Sequence, residues 1–346
     1  DIVITKLSQY RGTASFSGGS VQILSFLPMW ADMSCSFTID KGHIVIDDMA
    51  LETDGGVTAV ASDVDMGAWP EQTHRVHSVL QFPRMREIFW ADQTFSLGGQ
   101  GTFDGVFHLF KGGHDLRGTF AGDGARLDDL AFPNLRGALA WTPSAFEVTD
   151  TSADFYGGHT RLAFAMRPLG QPTPGVARFD ADYSSVDLLT LTHAIQLPGM
   201  RLAGQATGRN VLEWPIGAIA EKHGEGRIEV TPPPGVVTMS KDLPPALLAV
   251  LRGQPPTSGA AFDKTPLRAP LPVGGHLAYR YDPEWITVDE SAMASPRTYV
   301  EFRGRTAYGD RSELPFHVTS ADWQESDRVL ASIMTAFGTP TGAVPF

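Results

Sequence analysis

Three stretches of this 346-residue chain follow one pattern, and that repetition constrains the fold more than any other feature. They are MSCSFTIDKGHIVIDDMALETDGGVTAVA from Met33, RGALAWTPSAFEVTDTSADFYGGHTRLAF from Arg136, and GGHLAYRYDPEWITVDESAMASPRTYVEF from Gly274. In each stretch an alternating segment reaches a turn, and a second alternating segment then runs to an aspartate, which is Asp47, Asp150 or Asp289. Because alternation with a period of two is typical of β-strands, each stretch predicts a hairpin followed by another strand. We interpret the three aspartates as strand-end or turn residues that form local hydrogen bonds.

The segments that flank each predicted hairpin repeat as well. A Gly-rich, strand-like segment precedes each hairpin and begins at Tyr10, Gly98 or Leu202. After each hairpin a strand leads into a short helix, as in RVHSVLQFPRMREIFW, RFDADYSSVDLLTLTHAI and PFHVTSADWQESDRVLASIMTAF. In the last of these helices Asp322 and Glu325 have the spacing of a capping box. Its predicted apolar face consists of Trp323, Leu330, Met334 and Phe337.

This order predicts three β repeat units, 1–92, 93–198 and 199–346, that form one continuous structure rather than independent domains. The third unit is longer, because it contains a Pro-rich insertion at about 231–273 with a helical turn predicted around Ala246–Leu251. The fold class is therefore mainly β, an elongated and repetitive antiparallel sheet with a few short helices. The 36 glycines and 25 prolines agree with many turns and few long helices.

Several predicted strands have one apolar face and one mixed face. Leu277, Tyr279 and Tyr281 alternate with Ala278 and Arg280, so the first three share a face. An apolar face has to be covered, either by a second sheet that closes a sandwich or by curvature around an apolar ligand. The residues leave both arrangements open.

In the second strand of each hairpin, apolar residues occur at both odd-numbered and even-numbered positions, a pattern that we call mixed parity. In the third hairpin, for example, Trp285 and Thr287 alternate with Ile286 and Val288. Its inward face is therefore left unassigned.

The charge balance argues against nucleic-acid binding. The formal net charge is −12 and no Lys/Arg cluster is present, whereas phosphate contacts by basic residues provide most of the affinity for nucleic acid. The single cysteine, Cys35, cannot form an intramolecular disulfide and is interpreted as a small buried apolar residue. No run of 18 apolar residues occurs, so we expect no part of this sequence to span a bilayer. We also expect it to be a segment of a longer protein, with any membrane anchor outside this segment.

No motif predicts catalysis, a metal site or a cofactor, and we expect the chain not to be an enzyme. His74 and His77 have a spacing that places them on opposite faces of a strand, with no cysteine or carboxylate cluster to complete a zinc site. GGQGTFDG has Asp104 where a dinucleotide-binding motif needs its third glycine. Asp123, Asp128 and Asp129 do not have the spacing of an EF-hand loop.

Two segments of the sequence resemble a known protein family. LPVGGHLAYRYDPEWITVDESAMASPRTYVEFRGR and LRGALAWTPSAFEVTDTSADFYGGHTRLAF are similar to the degenerate repeats of TamB/AsmA-like proteins, bridge-like lipid-transfer proteins of the Gram-negative envelope. The resemblance implies that the sheet curves into a half-open groove (a β-taco) with an apolar inside. It also implies a periplasmic location, with anchoring to the inner membrane through parts not present in this chain.

The resemblance further implies a function that involves no catalysis. The chain would be a segment of a lipid-transport conduit between the inner and outer membranes, which supports outer-membrane biogenesis. Its partners would be phospholipid acyl chains and an outer-membrane assembly protein. The candidate groove residues are Phe37, Ile39, Leu139, Trp141, Leu162, Phe164, Met166, Leu277, Tyr279 and Tyr281.

Two other classes of function remain as alternatives. One is a closed β-solenoid or sandwich, a structural or adhesive segment that binds a glycan or a protein and fills its interior with these same side chains. The other is a β-helix enzyme such as a polysaccharide lyase. That enzyme needs carboxylates and basic residues clustered in a cleft, and the sequence offers no such cluster.

Overall fold

The structure, a computed structural model, describes residues 2–6, 9–21, 28–89, 95–195, 201–241, 269–307 and 312–337. The chain divides into two compact units. The first comprises Asp1–Asp154 and Arg161–Ala177, and the second comprises Phe155–Thr160 and Arg178–Phe346. Most described residues lie in β-strands and almost all strand pairs are antiparallel, so the predicted fold class, mainly β with a few short helices, is confirmed.

In the first unit the strands pair in sequence order. The strands are β1 (Ile2–Lys6), β2 (Gln9–Val21), β3 (Met29–Asp40), β4 (His43–Thr53), β5 (Gly56–Asp65), β6 (Gln72–Gln81), β7 (Leu97–Phe110), β8 (Gly113–Leu127), β9 (Leu130–Ala131), β10 (Leu135–Thr142) and β11 (Ala145–Phe155). Each of β1 to β8 is antiparallel to the next, β8 pairs with β10, and β10 pairs with β11. The two-residue β9 lies beside the end of β8, and helix α1 (Phe82–Phe89) follows β6.

Strands β12 (Gly158–Arg167) and β13 (Val176–Asp187) contain residues of both units, as does β11 through its last residue, Phe155. The other elements of the second unit are helix α2 (Leu188–Ala194), β14 (Leu202–Ala203), β15 (Gln205–Pro215), β16 (His223–Thr231), β17 (Leu271–Pro272), β18 (Gly274–Tyr281), β19 (Trp285–Ala294), β20 (Thr298–Ala307), β21 (Ser312–Glu313), β22 (Phe316–Ser320) and helix α3 (Trp323–Phe337). Strands β15, β16, β18, β19, β20 and β22 form an antiparallel sheet in that order. The short β14 and β17 pair in parallel.

All three predicted hairpins are present, as β3–β4, β10–β11 and β18–β19. The strand that leads into a short helix also follows each of them, as β6–α1, β13–α2 and β22–α3. The division into repeat units at residues 92 and 198 stays a prediction. The helical turn predicted around Ala246–Leu251 lies outside the described residues, as does most of the Pro-rich insertion.

The recurring aspartates lie at β-bulges, so their interpretation as strand-end or turn residues is wrong. Asp47, Asp150 and Asp289 fall within β4, β11 and β19, where the pairing register with the preceding strand shifts. Asp150 has a φ of 49°, which an aspartate adopts more readily than most residues. Of the three carboxylates, that of Asp289 accepts a hydrogen bond of 2.8 Å from Arg280 on the neighbouring strand.

The bulges explain the mixed parity of the second hairpin strand. A bulge inserts an extra residue, so the side chains that follow it exchange faces. In β19, Ile286 and Val288 lie opposite Tyr281 and Tyr279 and share their face, whereas Trp285 points to the other side. After the bulge the odd-numbered Met293 lies on the face that the even-numbered residues occupied before it.

Helix α3 covers one end of the apolar face of the second unit. The cluster buried there consists of Leu202, Leu271, Val273, Val288, Val300, Phe302, Val329 and Ile333. The helix contributes Ser326, Val329, Leu330 and Ile333, the i, i+3, i+4, i+7 pattern of a single face. Trp323 was predicted on this face but is 70% exposed, so that prediction is wrong. Met334 is half-buried, and the side chain of Phe337 lies outside the described residues.

The predicted capping box of α3 is present only in part. Asp322 Oδ1 accepts hydrogen bonds from the backbone N–H groups of Gln324 (3.0 Å) and Glu325 (3.2 Å), as an N-cap does. The Glu325 carboxylate does not reach back to Asp322. It accepts hydrogen bonds from the backbone N–H of Arg297 (2.6 Å) and from the hydroxyl of Ser295, and so ties the helix to the β19–β20 turn.

Asp180 on β13 gives the sheet of the second unit a testable pH dependence. Hydrogen bonds from Arg209 (2.9 Å to Nε), and its positive charge, hold the pKa of Asp180 below its ordinary value of 3.8, with a smaller contribution from Arg178. A lowered folded-state pKa stabilises the fold above the unfolded-state pKa, and this contribution is lost as the pH falls through the folded-state pKa. Because both arginines are largely exposed, we expect Asp180→Asn to lower Tm by about 2 °C or less at pH 7. Tm measured from pH 7 to pH 3 should converge for the two proteins, and a constant difference would contradict this assignment.

Candidate functional site

The register of the first unit places mainly apolar side chains on one side of the sheet, together with the polar Thr58, Ser62 and Ser78. Residues directly opposite one another on paired strands have their side chains on the same face. Starting from Phe37 and Ile39, the pairings lead to the following side chains, which we call the apolar face: Tyr10, Ala14, Phe16, Met33, Cys35, Ile44, Ile46, Met49, Leu51, Val60, Val64, His74, Val76, Leu80, Phe103, Phe107, Leu109, His114, Leu116, Phe120, Leu135, Leu139, Trp141, Phe146 and Val148. The opposite face is more polar: it includes Arg75, His77, Asp104, Arg117 and Glu147, alongside the exposed Val57, Val79 and Val106.

The structure brings most of the predicted groove residues together on this face. Phe37, Ile39, Leu139 and Trp141 belong to it through the pairings of β3 and β10. Phe164 joins it because its ring lies 6.2 Å from that of Phe146, and alternation along β12 places Leu162 and Met166 on the same side. Leu277, Tyr279 and Tyr281 lie in the second unit and share the face that α3 partly covers there.

The apolar face is only partly buried. In β5 and β6 the residues alternate strictly between exposed and half-buried, and only Val64 and Ser78 of the inner set are fully buried. Phe16 and Tyr10 are still 41% and 38% exposed. In a sandwich the facing side chains interdigitate with those of a second sheet and are buried at crystal-like density. The first unit therefore lacks such a cover over most of this face, among the residues that the structure describes.

The tips of several aromatic rings lie over glycines in the apolar face. A Cβ atom added to Gly105 or Gly118 would lie 2.5 or 2.7 Å from the Phe103 ring, and one added to Gly137 would lie 2.7 Å from the Phe120 ring. Phe37 covers Gly12 in the same way. Rings packed along the sheet leave the space above them free, whereas core side chains of a sandwich project into that space. This arrangement favours an open lining over a filled interior.

Six rings cross six strands near one edge of the face. Successive ring centroids, from β6 to β12, lie 6.2, 5.6, 5.9, 6.3 and 6.2 Å apart. We call this set the aromatic row: His74, Phe107, His114, Trp141, Phe146 and Phe164. Every ring in it is half-buried. Burial lowers the pKa of His74, because loss of solvent disfavours the charged imidazolium. At neutral pH this histidine is therefore an uncharged part of the lining.

Helix α1 covers the opposite edge of the apolar face. The side chains of Met85 and Ile88 lie against Gly55, and the Phe82 ring lies against Gly101. Ile88 and Phe103 are 7% and 5% exposed, so this edge is closed by protein. The lining of the first unit is thus covered at the α1 edge and open towards the aromatic row.

In the second unit, a group of tyrosines interrupts the apolar face. The Tyr279 hydroxyl donates a hydrogen bond to Asn210 Oδ1, and its ring lies 5.2 Å from that of Tyr281. Tyr183 lies against Gly208, within hydrogen-bonding reach of Tyr279. Burial raises the pKa of all three phenols, which therefore stay neutral. Sequence reasoning found Tyr279 and Tyr281 but missed Tyr183 and Asn210, because no local pattern predicts which residues meet across three strands.

The other residues that the sequence analysis singled out lie on both faces of the sheet. His74 and His77 do lie on opposite faces, and His77 forms a 2.6 Å hydrogen bond with Asp104. Cys35 lies on the apolar face and is half-buried, which raises the pKa of its thiol, with a smaller contribution from Asp48. The described residues include no group of three or more potential ligands that could hold a metal ion. None of the described helices has the length and hydropathy needed to span a membrane.

No protein-family model, curated protein or solved structure matches the chain significantly.

Proposed function

We propose that this chain is a segment of a lipid-transport conduit that shields phospholipid acyl chains from water on the apolar face of the first unit. The observation that carries the proposal is that face itself. It is mainly apolar across nine strands, β2 to β8, β10 and β11, yet only half-buried, and several of its ring tips lie over glycines. A surface of this kind in a protein of net charge −12 is costly unless something apolar covers it.

The energy available for acyl-chain binding is large. Burial of a methylene group is worth about 0.8 kcal/mol, so a chain of about sixteen carbons gains on the order of 10 kcal/mol when the lining covers it. The gain depends on area rather than on particular polar contacts. A lining made of loosely similar repeats can supply that area without catalytic residues or a cofactor.

The dimensions also suit acyl chains. Nine strands spaced about 4.8 Å apart give roughly 40 Å of lined sheet. An acyl chain in one leaflet occupies about 15 Å, half of a hydrocarbon core of about 30 Å. The first unit alone thus offers more length than one lipid needs, as expected of a passage rather than a pocket for a single molecule.

The resemblance to TamB/AsmA-like repeats supports a place for this conduit in the Gram-negative envelope. It favours a periplasmic conduit between the inner and outer membranes, and an outer-membrane assembly protein as a second partner. The half-open groove is the shape that this function requires. A closed structural or adhesive segment is disfavoured by the incomplete burial of the apolar face, because such a segment would fill its own interior.

Photo-crosslinking provides the direct test. Benzoylphenylalanine in place of Phe107 puts the reactive group on the apolar face, and the same residue in place of Val106 puts it on the polar face one position away. We expect the Phe107 variant to crosslink co-purified or added phospholipid at least about tenfold more than the Val106 variant, since only one face offers apolar area. Mass spectrometry of the adducts and of solvent extracts identifies the lipid. Equal lipid labelling of the two faces, or lipid-free preparations from cells and from lipid-loading reactions, would rule the conduit out.

A further inference from the structure

The turn between β5 and β6 presents apolar side chains to solvent. Trp69 is 63% exposed and Met66 is 45% exposed. Tryptophan and methionine are enriched at contact surfaces, and tryptophan is enriched where a membrane meets water. We call this segment, residues 66–69, the Met66–Trp69 turn.

Hydrogen bonds hold the Met66–Trp69 turn rigidly in this exposed position. The Met66 N–H donates to the carbonyl oxygen of Gly42 (2.8 Å), which ties the turn to the adjacent β3–β4 turn. The Asp65 carboxylate accepts from the Gly67 N–H (2.8 Å), and the Glu71 N–H donates to the carbonyl oxygen of Ala68 (2.9 Å). A turn ordered in advance loses little conformational entropy when it binds.

The turn lies at the open edge of the apolar face. It leads directly into β6, whose third residue, His74, is the first ring of the aromatic row. The β7–β8 and β10–β11 turns lie at this same edge, because β7 and β10 run towards it and β8 and β11 run away from it. An acyl chain that left a lipid surface at the Met66–Trp69 turn would therefore meet the aromatic row without crossing a polar strand face.

The charges around the turn indicate which lipid surface it suits. The neighbouring acidic groups are Asp63, Asp65 and Glu71, and the lysines of the two adjacent turns are Lys41 (β3–β4) and Lys111 (β7–β8). His43 and His108 are each paired with one of these carboxylates, at 3.1 and 2.6 Å. Anionic lipid headgroups attract basic segments, so they would not strengthen the binding of a turn whose neighbours are acidic. Apolar insertion, and not charge, would have to supply the affinity.

We propose that the Met66–Trp69 turn inserts into the surface of a zwitterionic phospholipid bilayer and places the adjacent aromatic row where acyl chains leave that bilayer. The inference rests on the proposed function for its purpose, but the insertion is a separate physical event. It assigns a partner, a lipid surface, to a part of the chain that the apolar lining does not include.

The test compares two exposed tryptophans. The purified chain is floated with phosphatidylcholine vesicles as wild type, Trp69→Ser, Met66→Ser and Trp323→Ser; Trp323 is 70% exposed but lies in the second unit. We expect Trp69→Ser to lower vesicle binding about tenfold, Met66→Ser to lower it several-fold and Trp323→Ser to leave it unchanged, following the apolar area removed. Circular dichroism checks that each variant is folded, and the two turn variants provide independent readings.

Three outcomes would overturn the docking proposal. They are equal binding by wild type and Trp69→Ser, an equal loss with Trp323→Ser, and binding that rises with added phosphatidylglycerol regardless of Trp69. Capture of a protein partner that depends on Trp69, with no effect on vesicles, would assign the turn to a protein contact instead. Crosslinking of lipid at position 107 in the Trp69→Ser background separates the two proposals. If lipid labelling at position 107 persists in the Trp69→Ser variant, the proposed conduit is retained even where the proposed membrane insertion is rejected.

Discussion

Replacing Gly118 by alanine should destabilise the first unit by about 3 kcal/mol, towards the upper end of the cost of inserting one methyl group into a packed site. A Cβ atom at this position would lie 2.6 Å from the Cα of Gly105 and 2.7 Å from the Phe103 ring, and closer still to the carbonyl oxygen of Asp104. Two of these obstacles are backbone atoms of the paired strand. They cannot move aside without breaking the hydrogen bonds between β7 and β8.

The same strand pair offers a matched control. A Cβ atom at Gly98 would lie 3.4 Å from the Arg126 Cβ, which is ordinary van der Waals contact, so Gly98→Ala should change stability by less than about 1 kcal/mol. Urea unfolding of the two variants and the wild type measures the difference. Similar stabilities for Gly98→Ala and Gly118→Ala would contradict the close approach of β7, β8 and the Phe103 ring at this position.

Some features of the fold follow from local sequence alone. Alternating side chains in RGALAWTPSAFEV and GGHLAYRYDPEWITV predicted hairpins, and both are present as β10–β11 and β18–β19. The strand-to-helix segments were found because the change from a period of two to a period of 3.6 is visible within about ten residues. The predicted apolar face also holds at the candidate positions, since alternation needs no knowledge of the partner strand.

Other features depend on which strands meet. The bulges at Asp47 and Asp289 are set by pairing register, so the parity of β4 and β19 could not be assigned in advance. The glycine–ring pairs join residues of different strands, such as Gly137 with Phe120, and the tyrosine group joins β13, β15 and β18. Trp323 was misassigned because it has the spacing of the buried face of α3 but lies at the first position of the helix, where its side chain stays exposed. Whether an apolar face is covered is also a property of the whole arrangement and not of any one strand.

The largest effect in the second unit is expected from Val329→Asp, which should undock helix α3. Val329 is fully buried in the cluster that also contains Val300 and Phe302. A carboxylate placed there has no partner, and an unpaired buried charge costs several kcal/mol, about 4 or more in comparable sites. The exposed position 331 on the same helix provides the control, because Ala331→Asp adds the same charge without burying it.

The pH dependence distinguishes buried charge from simple loss of packing. Burial raises the pKa of a carboxyl group, so a folded Val329→Asp protein binds its proton at higher pH than the unfolded chain does. The variant should therefore regain stability as the pH falls from 7 towards 4, while Val329→Ala should show the same deficit throughout. Because α3 covers part of the apolar face of the second unit, undocking should also expose Val300 and Phe302 and raise the binding of a hydrophobic dye at pH 7. A variant that loses stability without gaining dye binding would mean that α3 stays on the sheet, and that the second unit cannot be converted into an open lining by releasing its helix.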